Sequence, residues 1–218
     1  MEHGHGGHRH GDFDEFYAAG QRWSGNPNEA LIREVADLAP GRVLDIGCGE
    51  GADAVWLAEQ GWQVTAIDTA EIAVERAREM AAERGVDKQI TFKVAPLSEW
   101  LDEYMGESFD LICGFFFPAP MTTEQARELA RMLRPAGTML WVDHDWEGER
   151  PERMSPVQME ALITDLVTDT AITRSGRNVT QGAGAHHRRV LSAGAGQSGA
   201  VRPARRPCPR CRGADDRR

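Results

Sequence analysis

The chain has 218 residues, of which 41% are hydrophobic, a composition that supports one full globular core. Its net charge of −9 is unevenly divided: residues 175–218 carry ten Arg and two Asp, a net of +8, so residues 1–174 carry −17. An acidic body lacks the clustered Lys and Arg that phosphate binding requires, which disfavours nucleic acid as a partner. No apolar run approaches the roughly 20 residues that cross a membrane, and four cysteines without a disulfide framework favour a cytoplasmic protein.

The first residues are rich in histidine and glycine, and they include His3, His5, His8 and His10. Such a segment cannot form a core. Histidines can bind a divalent metal loosely, but their irregular spacing here defines no coordination geometry. We therefore expect residues 1–12 to be a flexible segment and assign no metal site to the sequence.

A first helix is predicted to begin near Asn26. The side chain of Asn26 suits an N-cap residue, Pro27 suits the first helical position, and Glu29 stands where a capping box places its acid. Leu31 and Val35 follow at a spacing that places them on one face of this helix.

The segment VLDIGCGEG at 43–51 is the most informative part of the sequence. An apolar run that contains Asp45 is followed by Gly47, Gly49 and Gly51 at alternate positions. Glycine permits a sharp turn and lets backbone N–H groups approach a ligand. The pattern therefore predicts a strand, a tight loop and a helix start that hold a nucleotide-like cofactor.

A second strand-like run ends at an acid about 20 residues further on, as in dinucleotide-type cofactor sites. The run GWQVTAID ends at Asp68, whose carboxylate can accept hydrogen bonds from both ribose hydroxyls of such a cofactor. A structural alternative is that Asp68 is only the N-cap of the next helix, with Glu71 completing a capping box.

Strand-like and helical patterns alternate along the rest of the body. The predicted strands are 42–47, 63–68, 90–95, 109–117, 138–143 and 169–174. Two helices are predicted at 52–60 and 69–84. A third is predicted to begin at Thr122, with Gln125 as its capping partner and Leu133 on its inner face. A fourth is predicted to begin at Ser155, with Gln158 as its capping partner. This alternation predicts an α/β fold with a Rossmann-like, doubly wound and mostly parallel sheet.

The chain resembles the class I S-adenosylmethionine-dependent methyltransferases, and within them the small bacterial enzymes of the tellurite-resistance and thiopurine methyltransferase groups. The resemblance covers residues 13–187 and rests on VLDIGCGEG, on the Asp68 that follows GWQVTAI, and on LRPAGTMLWV at 133–142. It implies a seven-stranded sheet, S-adenosylmethionine as cofactor, and methyl transfer to a small-molecule acceptor by in-line displacement.

The resemblance also implies roles for individual residues. Asp68 would hold the ribose, and Asp45 would suit the α-ammonium of the cofactor, directly or through water. Where the family usually has an acid after its third strand, this chain has Pro96, so the backbone N–H of Leu97 is the predicted donor to the adenine ring. The other predicted cofactor contacts are Gly47, Cys48, Gly49, Gly51, Thr69 and Gly114.

Two other interpretations of the glycines stay open. The run from Gly47 to Ala52 also fits the permissive GxGxxA pattern of NAD-dependent oxidoreductases. Asp45 argues against that interpretation, because a carboxylate is poorly placed beside a pyrophosphate at a helix N-terminus and better suits an ammonium and a sulfonium. The second alternative is a non-catalytic protein that binds a cofactor or a metal.

In a parallel sheet the carboxyl ends of the strands converge on one crevice. His144 follows the strand at 138–143 and is the one candidate for a general acid or base, the alternative being a solvated loop histidine. Aromatic residues that precede the sheet, Tyr17 and Trp23 among them, are predicted to form a lid over the cofactor or substrate, or else to cover a hydrophobic edge.

Residues 188–218 differ in composition from the body. They are rich in Arg, Ala, Gly and Pro and contain few large apolar side chains, so we expect a disordered tail. Only Val190 and Leu191 are available for a seventh strand, and CPRC at 208–211 is a single CxxC with no second pair of ligands for zinc. The abrupt change suggests that the tail is not a native part of the domain.

Overall fold

The structure is a computed structural model that describes residues 10–106, 108–143, 154–155, 157–161, 177–180, 185–188 and 191–192. Its helices are α1 (His10–Ala18), α2 (Glu29–Val35), α3 (Ala52–Glu59), α4 (Glu71–Glu83), α5 (Leu97–Glu103) and α6 (Thr123–Arg131). Its strands are β1 (Arg42–Ile46), β2 (Gln63–Asp68), β3 (Ile90–Val94), β4 (Phe109–Phe115), β5 (Leu133–Val142), β6 (Arg177–Thr180), β7 (Ala185–Arg188) and β8 (Leu191–Ser192). Among the helices of these ranges, none has the length and apolar character needed to cross a bilayer.

The main sheet has the strand order β3-β2-β1-β4-β5-β8. Its first five strands are parallel, and β8 pairs with β5 in the antiparallel direction. The strand order reverses between β1 and β4, as in a doubly wound α/β fold, so the predicted fold class is confirmed. The count of seven strands stays a prediction. Within the described residues β6 and β7 form a separate two-stranded sheet, and the predicted strand at 169–174 lies outside those residues.

Alternate residues of the strands face two separate cores. Val43 of β1 and Leu111 of β4 pack with α2 and α3 on one face, whereas Leu44 and Ile112 pack with α5 and α6 on the other. All four side chains are fully buried. Because successive side chains point to opposite faces of the sheet, both faces are filled by core packing. The ends of the strands are therefore the part of the sheet that can bind a ligand.

The start of β5 differs from the sequence prediction. The strand begins at Leu133, which was predicted to belong to the preceding helix, and pairs there with Phe109 before the register shifts. Ala136 has a left-handed φ of 64° and follows Pro135 in this irregular part. Only the last part of the strand, from Gly137 onward, is continuously buried. A buried apolar run at 138–143 was therefore visible in the sequence, but the exposed first half was not.

The predicted start of the first helix is wrong, because α2 begins at Glu29 and Asn28 precedes it with extended backbone angles. No side-chain cap forms there, since the amide group of Asn28 is bound to Asp53 instead. The later capping predictions are confirmed. The two predicted pairs exchange both capping hydrogen bonds: Thr122 with Gln125, and Ser155 with Gln158.

Candidate active site

The glycine-rich loop connects β1 to α3 and is held by backbone hydrogen bonds. The N–H groups of Gly47 and Cys48 both donate to the carbonyl oxygen of Ile67 in β2, at 2.8 and 3.0 Å. Gly51 precedes α3 with a φ of +84°, and a Cβ there would overlap the Cβ of Ala77 in α4. The third glycine therefore allows the loop to pack closely against a helix.

Gly49 lies at the centre of the loop, with a φ of +52°. Its N–H donates to Oδ2 of Asp68 at 2.8 Å, so the loop and the end of β2 are joined by a charge-assisted hydrogen bond. A Cβ on Gly49 would lie 2.9 Å from the hydroxyl oxygen of Tyr17 and 3.6 Å from Nε1 of Trp23. The two predicted lid residues are thus placed directly over the loop.

Asp68 ends β2 with both carboxylate oxygens in use. Oδ1 accepts a hydrogen bond from the N–H of Ala70 at 2.9 Å, and Oδ2 accepts from Gly49. The residue that precedes α4 is Ala70, and no side-chain cap forms there, so the capping box of Asp68 with Glu71 is wrong. Burial raises the pKa of the Asp68 carboxyl, and the hydrogen bonds from Ala70 and Gly49 oppose that rise.

Asp45 is a buried acid of β1 with an unsatisfied oxygen. Its side chain is 2% exposed, its Oδ1 lies 3.6 Å from the sulfur of Cys113, and its Oδ2 has no hydrogen-bond partner. Burial raises the pKa of Asp45 well above the usual carboxyl range, and the negative charges of Asp53 and Asp68 add to the rise. A buried carboxylate oxygen of this kind is costly unless a cation or a donor pairs with it.

Asp53, in the first turn of α3, is a second buried acid. It accepts hydrogen bonds from the backbone N–H and the side-chain amide of Asn28, both at 2.6 Å. Burial raises the pKa of Asp53, and the two bonds from Asn28 oppose that effect. Asp53 thereby fixes the segment before α2 against the glycine-rich loop.

The segment from α1 to residue 28, here called the N-terminal strap, is held across the loop by Glu50. The Glu50 carboxylate is 4% exposed and accepts hydrogen bonds from the backbone N–H groups of Arg22 and Trp23. It also forms an ion pair with Arg76 of α4. Arg76 donates further bonds to the carbonyl oxygens of Gly20 and Tyr17, so one charge pair fixes the strap at several points.

The strap, the loop and the ends of β1, β2 and β4 enclose a cavity of about 620 Å³. Among the described residues that line the cavity, the charged ones are Asp45, Glu50, Asp53 and Asp68. None of these lining residues is Lys, Arg or His. The charge of Glu50 is compensated by Arg76, which leaves three acidic side chains of the lining without a cationic partner. The lining charge therefore favours a cationic ligand over a phosphate.

Most of the predicted site residues meet in this cavity. Those that line it are Tyr17, Trp23, Asp45, Gly47, Cys48, Gly49, Gly51, Asp68, Thr69 and Leu97. Pro96 is adjacent to the lining as the N-cap of α5. Gly114 is not part of the lining, and a Cβ there would overlap the ring of Trp141, so side-chain packing already requires a glycine. His144 lies outside the described residues, as do His3, His5 and His8.

Sequence reasoning missed the polar residues that hold the strap: Asn28, Glu50, Asp53 and Arg76. Glu50 and Asp53 could have been noticed in the sequence, because these acids lie within or just after the glycine-rich loop. Both are buried in the structure. Arg76 carried none, since the helical pattern of α4 does not distinguish it from neighbouring charged residues such as Arg78.

The geometry agrees with comparisons to known proteins. A family model described as a methyltransferase domain matches residues 43–137, which run from β1 through the glycine-rich loop and Asp68 into β5. The chain carries a class I methyltransferase domain. The predicted family is thereby confirmed. Within the methyltransferase domain, the matched segment contributes the loop, Asp45, Asp68 and the phenylalanines at 115–117 to the cavity.

A relative of the methyltransferase domain is the 2-heptyl-1-hydroxyquinolin-4(1H)-one methyltransferase of Mycobacteroides abscessus, which is 30% identical over 67% of this chain and 66% of its own length. The chain spans about half to two thirds of the length of the first curated relatives that it matches.

Two solved structures share the fold. A SAM-dependent methyltransferase from Geobacter sulfurreducens, solved in complex with S-adenosyl-L-homocysteine, is 26% identical with a TM-score of 0.51 over 64% of this chain and 57% of that one. TehB from Haemophilus influenzae is 13% identical, with a TM-score of 0.60 over 83% of this chain and 66% of TehB. At 13% identity, the similarity to TehB concerns the fold alone.

Proposed function

We propose that the methyltransferase domain binds S-adenosylmethionine in the cavity under the N-terminal strap and methylates a small-molecule acceptor. The observation that carries the proposal is Asp45, a buried acid of the cavity lining whose Oδ2 has no hydrogen-bond partner. The α-ammonium of S-adenosylmethionine can supply that partner, because a cation relieves the cost of a buried carboxylate.

The other lining residues suit the remaining parts of this cofactor. The carboxylate of Asp68 can accept from ribose hydroxyls with the lone pairs that Gly49 and Ala70 leave free. Leu97 lines the cavity, and its backbone N–H is the proposed donor to the adenine ring. Tyr17 and Trp23 close the cavity over the loop. These roles extend the sequence predictions and are part of the proposal.

When bound, S-adenosylmethionine supplies a methyl group that its sulfonium makes electrophilic. The protein then has to hold the acceptor in line and exclude water, effects that together contribute up to about 7–11 kcal/mol in favourable cases. The strap supports water exclusion, because Glu50 and Arg76 fix Tyr17 and Trp23 over the loop. A general base is useful for a hydroxyl acceptor but not for a thiolate, so His144 stays a candidate only.

The alternatives are less well supported. NAD carries a pyrophosphate, and the described lining offers it three acidic side chains without a cationic partner and no cationic side chain. A metal-binding protein is not favoured by the described residues, which contain no cluster of three or more His, Cys, Asp or Glu suited to a metal ion. A small molecule is preferred as substrate over nucleic acid because residues 1–174 carry −17. Cytoplasmic location stays a prediction from the sequence.

Calorimetry with S-adenosylmethionine, S-adenosylhomocysteine and NAD tests the proposal directly. We expect the first two to bind and NAD not to bind. Asp45→Asn should weaken S-adenosylhomocysteine binding by about tenfold or more, because a neutral amide cannot compensate the ammonium. Asp87→Asn is the matched control, since Asp87 is exposed and lies outside the cavity lining. Tight NAD binding without binding of the other two would overturn the proposal.

A further inference from the structure

Besides the carboxylates, the cavity is lined by aromatic rings from two separate parts of the chain. The N-terminal strap and the end of β4 contribute Phe13, Phe16, Tyr17, Trp23, Phe115, Phe116 and Phe117. Phe116 has a left-handed φ of 54°, a conformation that costs free energy for a bulky residue. The backbone at the end of β4 is therefore held in an unfavourable shape where the rings enter the cavity.

The rings of the strap are fixed although they are partly exposed. Trp23 is 57% exposed and Phe16 is 42% exposed. Nε1 of Trp23 donates to the hydroxyl of Tyr17 at 3.2 Å, and the Phe16 ring meets the Tyr17 ring edge-on with centroids 5.1 Å apart. Large apolar side chains that remain exposed yet held in place mark a ligand-binding surface more often than simple core packing.

The charges of the lining further restrict which acceptors the cavity can bind. The carboxylates of Asp45, Asp53 and Asp68 line the cavity, and the described lining includes no basic side chain. Two arginines of the surroundings are already engaged. Arg76 is paired with Glu50, and the guanidinium of Arg22 lies 4.4 Å from the Phe16 ring centroid and donates to the Phe16 carbonyl oxygen. An acceptor with a net negative charge would find acidic side chains in this cavity and no unoccupied cation among these groups.

We propose that the methyl acceptor is an uncharged, flat aromatic molecule whose ring lies between Trp23 and the phenylalanines at 115–117, and that acceptors bearing a carboxylate or phosphate are excluded. This inference rests on the proposed function, because Asp45, Asp68 and the glycine-rich loop are assigned to the cofactor. Aromatic rings that stack or meet edge-on gain free energy beyond their buried area, which a saturated ring of equal size does not.

Binding of matched probes to protein saturated with S-adenosylhomocysteine tests the inference. The probes are 2-naphthol, its saturated analogue decahydro-2-naphthol, and 3-hydroxy-2-naphthoate, which adds only a carboxylate. We expect 2-naphthol to bind about fivefold more tightly than the saturated analogue. We expect it to bind at least about tenfold more tightly than 3-hydroxy-2-naphthoate. Equal or weaker binding of 2-naphthol relative to either analogue would overturn the inference.

A pair of variants locates the probe. Trp23→Leu keeps an apolar side chain but removes the ring, so it should weaken 2-naphthol binding by about fivefold and leave the saturated analogue unchanged. Met105→Ala is the control, because Met105 is 94% exposed and does not line the cavity. An unchanged 2-naphthol affinity in Trp23→Leu would contradict the placement. Failure of S-adenosylhomocysteine itself to bind would overturn the proposed function, whereas its binding without ring preference would overturn this inference alone.

Discussion

The carboxylate of Glu50 and the guanidinium of Arg76 lie 2.7 Å apart and join the glycine-rich loop to α4. Both groups also bind the N-terminal strap, Glu50 through the N–H groups of Arg22 and Trp23 and Arg76 through two carbonyl oxygens. The pair thus fixes the strap to the loop and to α4. Closure of the cavity depends on this pair as well as on the aromatic rings themselves.

Glu50→Gln should loosen the strap. The amide nitrogen of glutamine cannot accept from a backbone N–H, and the ion pair with Arg76 is lost. We expect the free energy of unfolding to fall by about 1–3 kcal/mol and S-adenosylhomocysteine affinity to fall with it. Urea unfolding and calorimetry measure the two effects. Glu59→Gln removes a more exposed pair with Arg84 and should cost less than about 1 kcal/mol with unchanged affinity. Equal effects of both variants would refute the role of Glu50.

The raised pKa of Asp45 predicts a pH dependence of cofactor binding. Only the ionised carboxylate attracts an ammonium, so affinity for S-adenosylhomocysteine should fall as pH falls through a pKa well above the usual carboxyl range. Calorimetry from neutral to acid pH measures this fall. Asp45→Asn should bind weakly with a flatter profile. A wild-type profile that changes only within the ordinary carboxyl range would contradict the prediction.

The same pKa shift has a consequence for stability. Between the ordinary carboxyl pKa and the raised value, native Asp45 keeps a proton that the unfolded chain has released. The unfolded state then binds fewer protons, so the unliganded protein loses stability as pH rises through that window. Asp45→Asn removes this loss and should be at least as stable as the wild type at neutral pH, as thermal unfolding without ligand can measure. A strongly destabilised variant would indicate that Asp45 is instead a structural acid.

Asp68→Asn should damage the site more than the fold. One oxygen can still accept from Ala70, but the amide nitrogen cannot accept from Gly49, whose N–H loses its partner. Hydrogen bonds to a charged group contribute about 1.5–3 kcal/mol, so S-adenosylhomocysteine affinity should fall by about tenfold or more. Calorimetry and urea unfolding separate the two effects. Unchanged affinity with lowered stability would leave Asp68 a purely structural role.

The sequence predicted the parts of the fold that follow a period or a local rule. Thr122 and Gln125 form the expected capping box, and β2 has the predicted bounds, because each depends on neighbouring residues alone. The failures have a different physical origin. Asn28 binds Asp53, 25 residues away, and this contact overrides the local capping preference near Asn26. Glu50, likewise, acts through partners that only the folded chain brings together.

Substitution of Gly49 tests whether the loop is the cofactor site, and Gly85, which also has a positive φ, provides the control for backbone strain. Gly49→Val should abolish S-adenosylhomocysteine binding, because a side chain at this φ of +52° would meet Tyr17 and fill space meant for the cofactor. Gly85→Ala has a similar φ of +70° but nothing within 4 Å of the added Cβ. It should cost about 1–2 kcal/mol of stability and leave binding intact. Normal binding by Gly49→Val would show that the loop is not the cofactor site.

The last prediction concerns residues 188–218, most of which lie outside the described residues. Within that range, Leu191 and Ser192 pair with Met139 and Thr138 at the edge of β5. A shortened chain that ends at Ser192 keeps this pairing, whereas one that ends at His187 loses it. If the tail is not native to the domain, both should bind S-adenosylhomocysteine like the full chain, because the described cavity lining includes no residue beyond Ala119.

Stability distinguishes the two shortened chains. A two-residue pairing covers little of the β5 edge, so the chain that ends at His187 should unfold at nearly the same urea concentration as the one that ends at Ser192. The coding DNA, read in another frame after His187, should then give an alternating apolar strand long enough to cover that edge. Lost cofactor binding in either chain, or no such strand in either alternative frame, would show that the tail belongs to the domain.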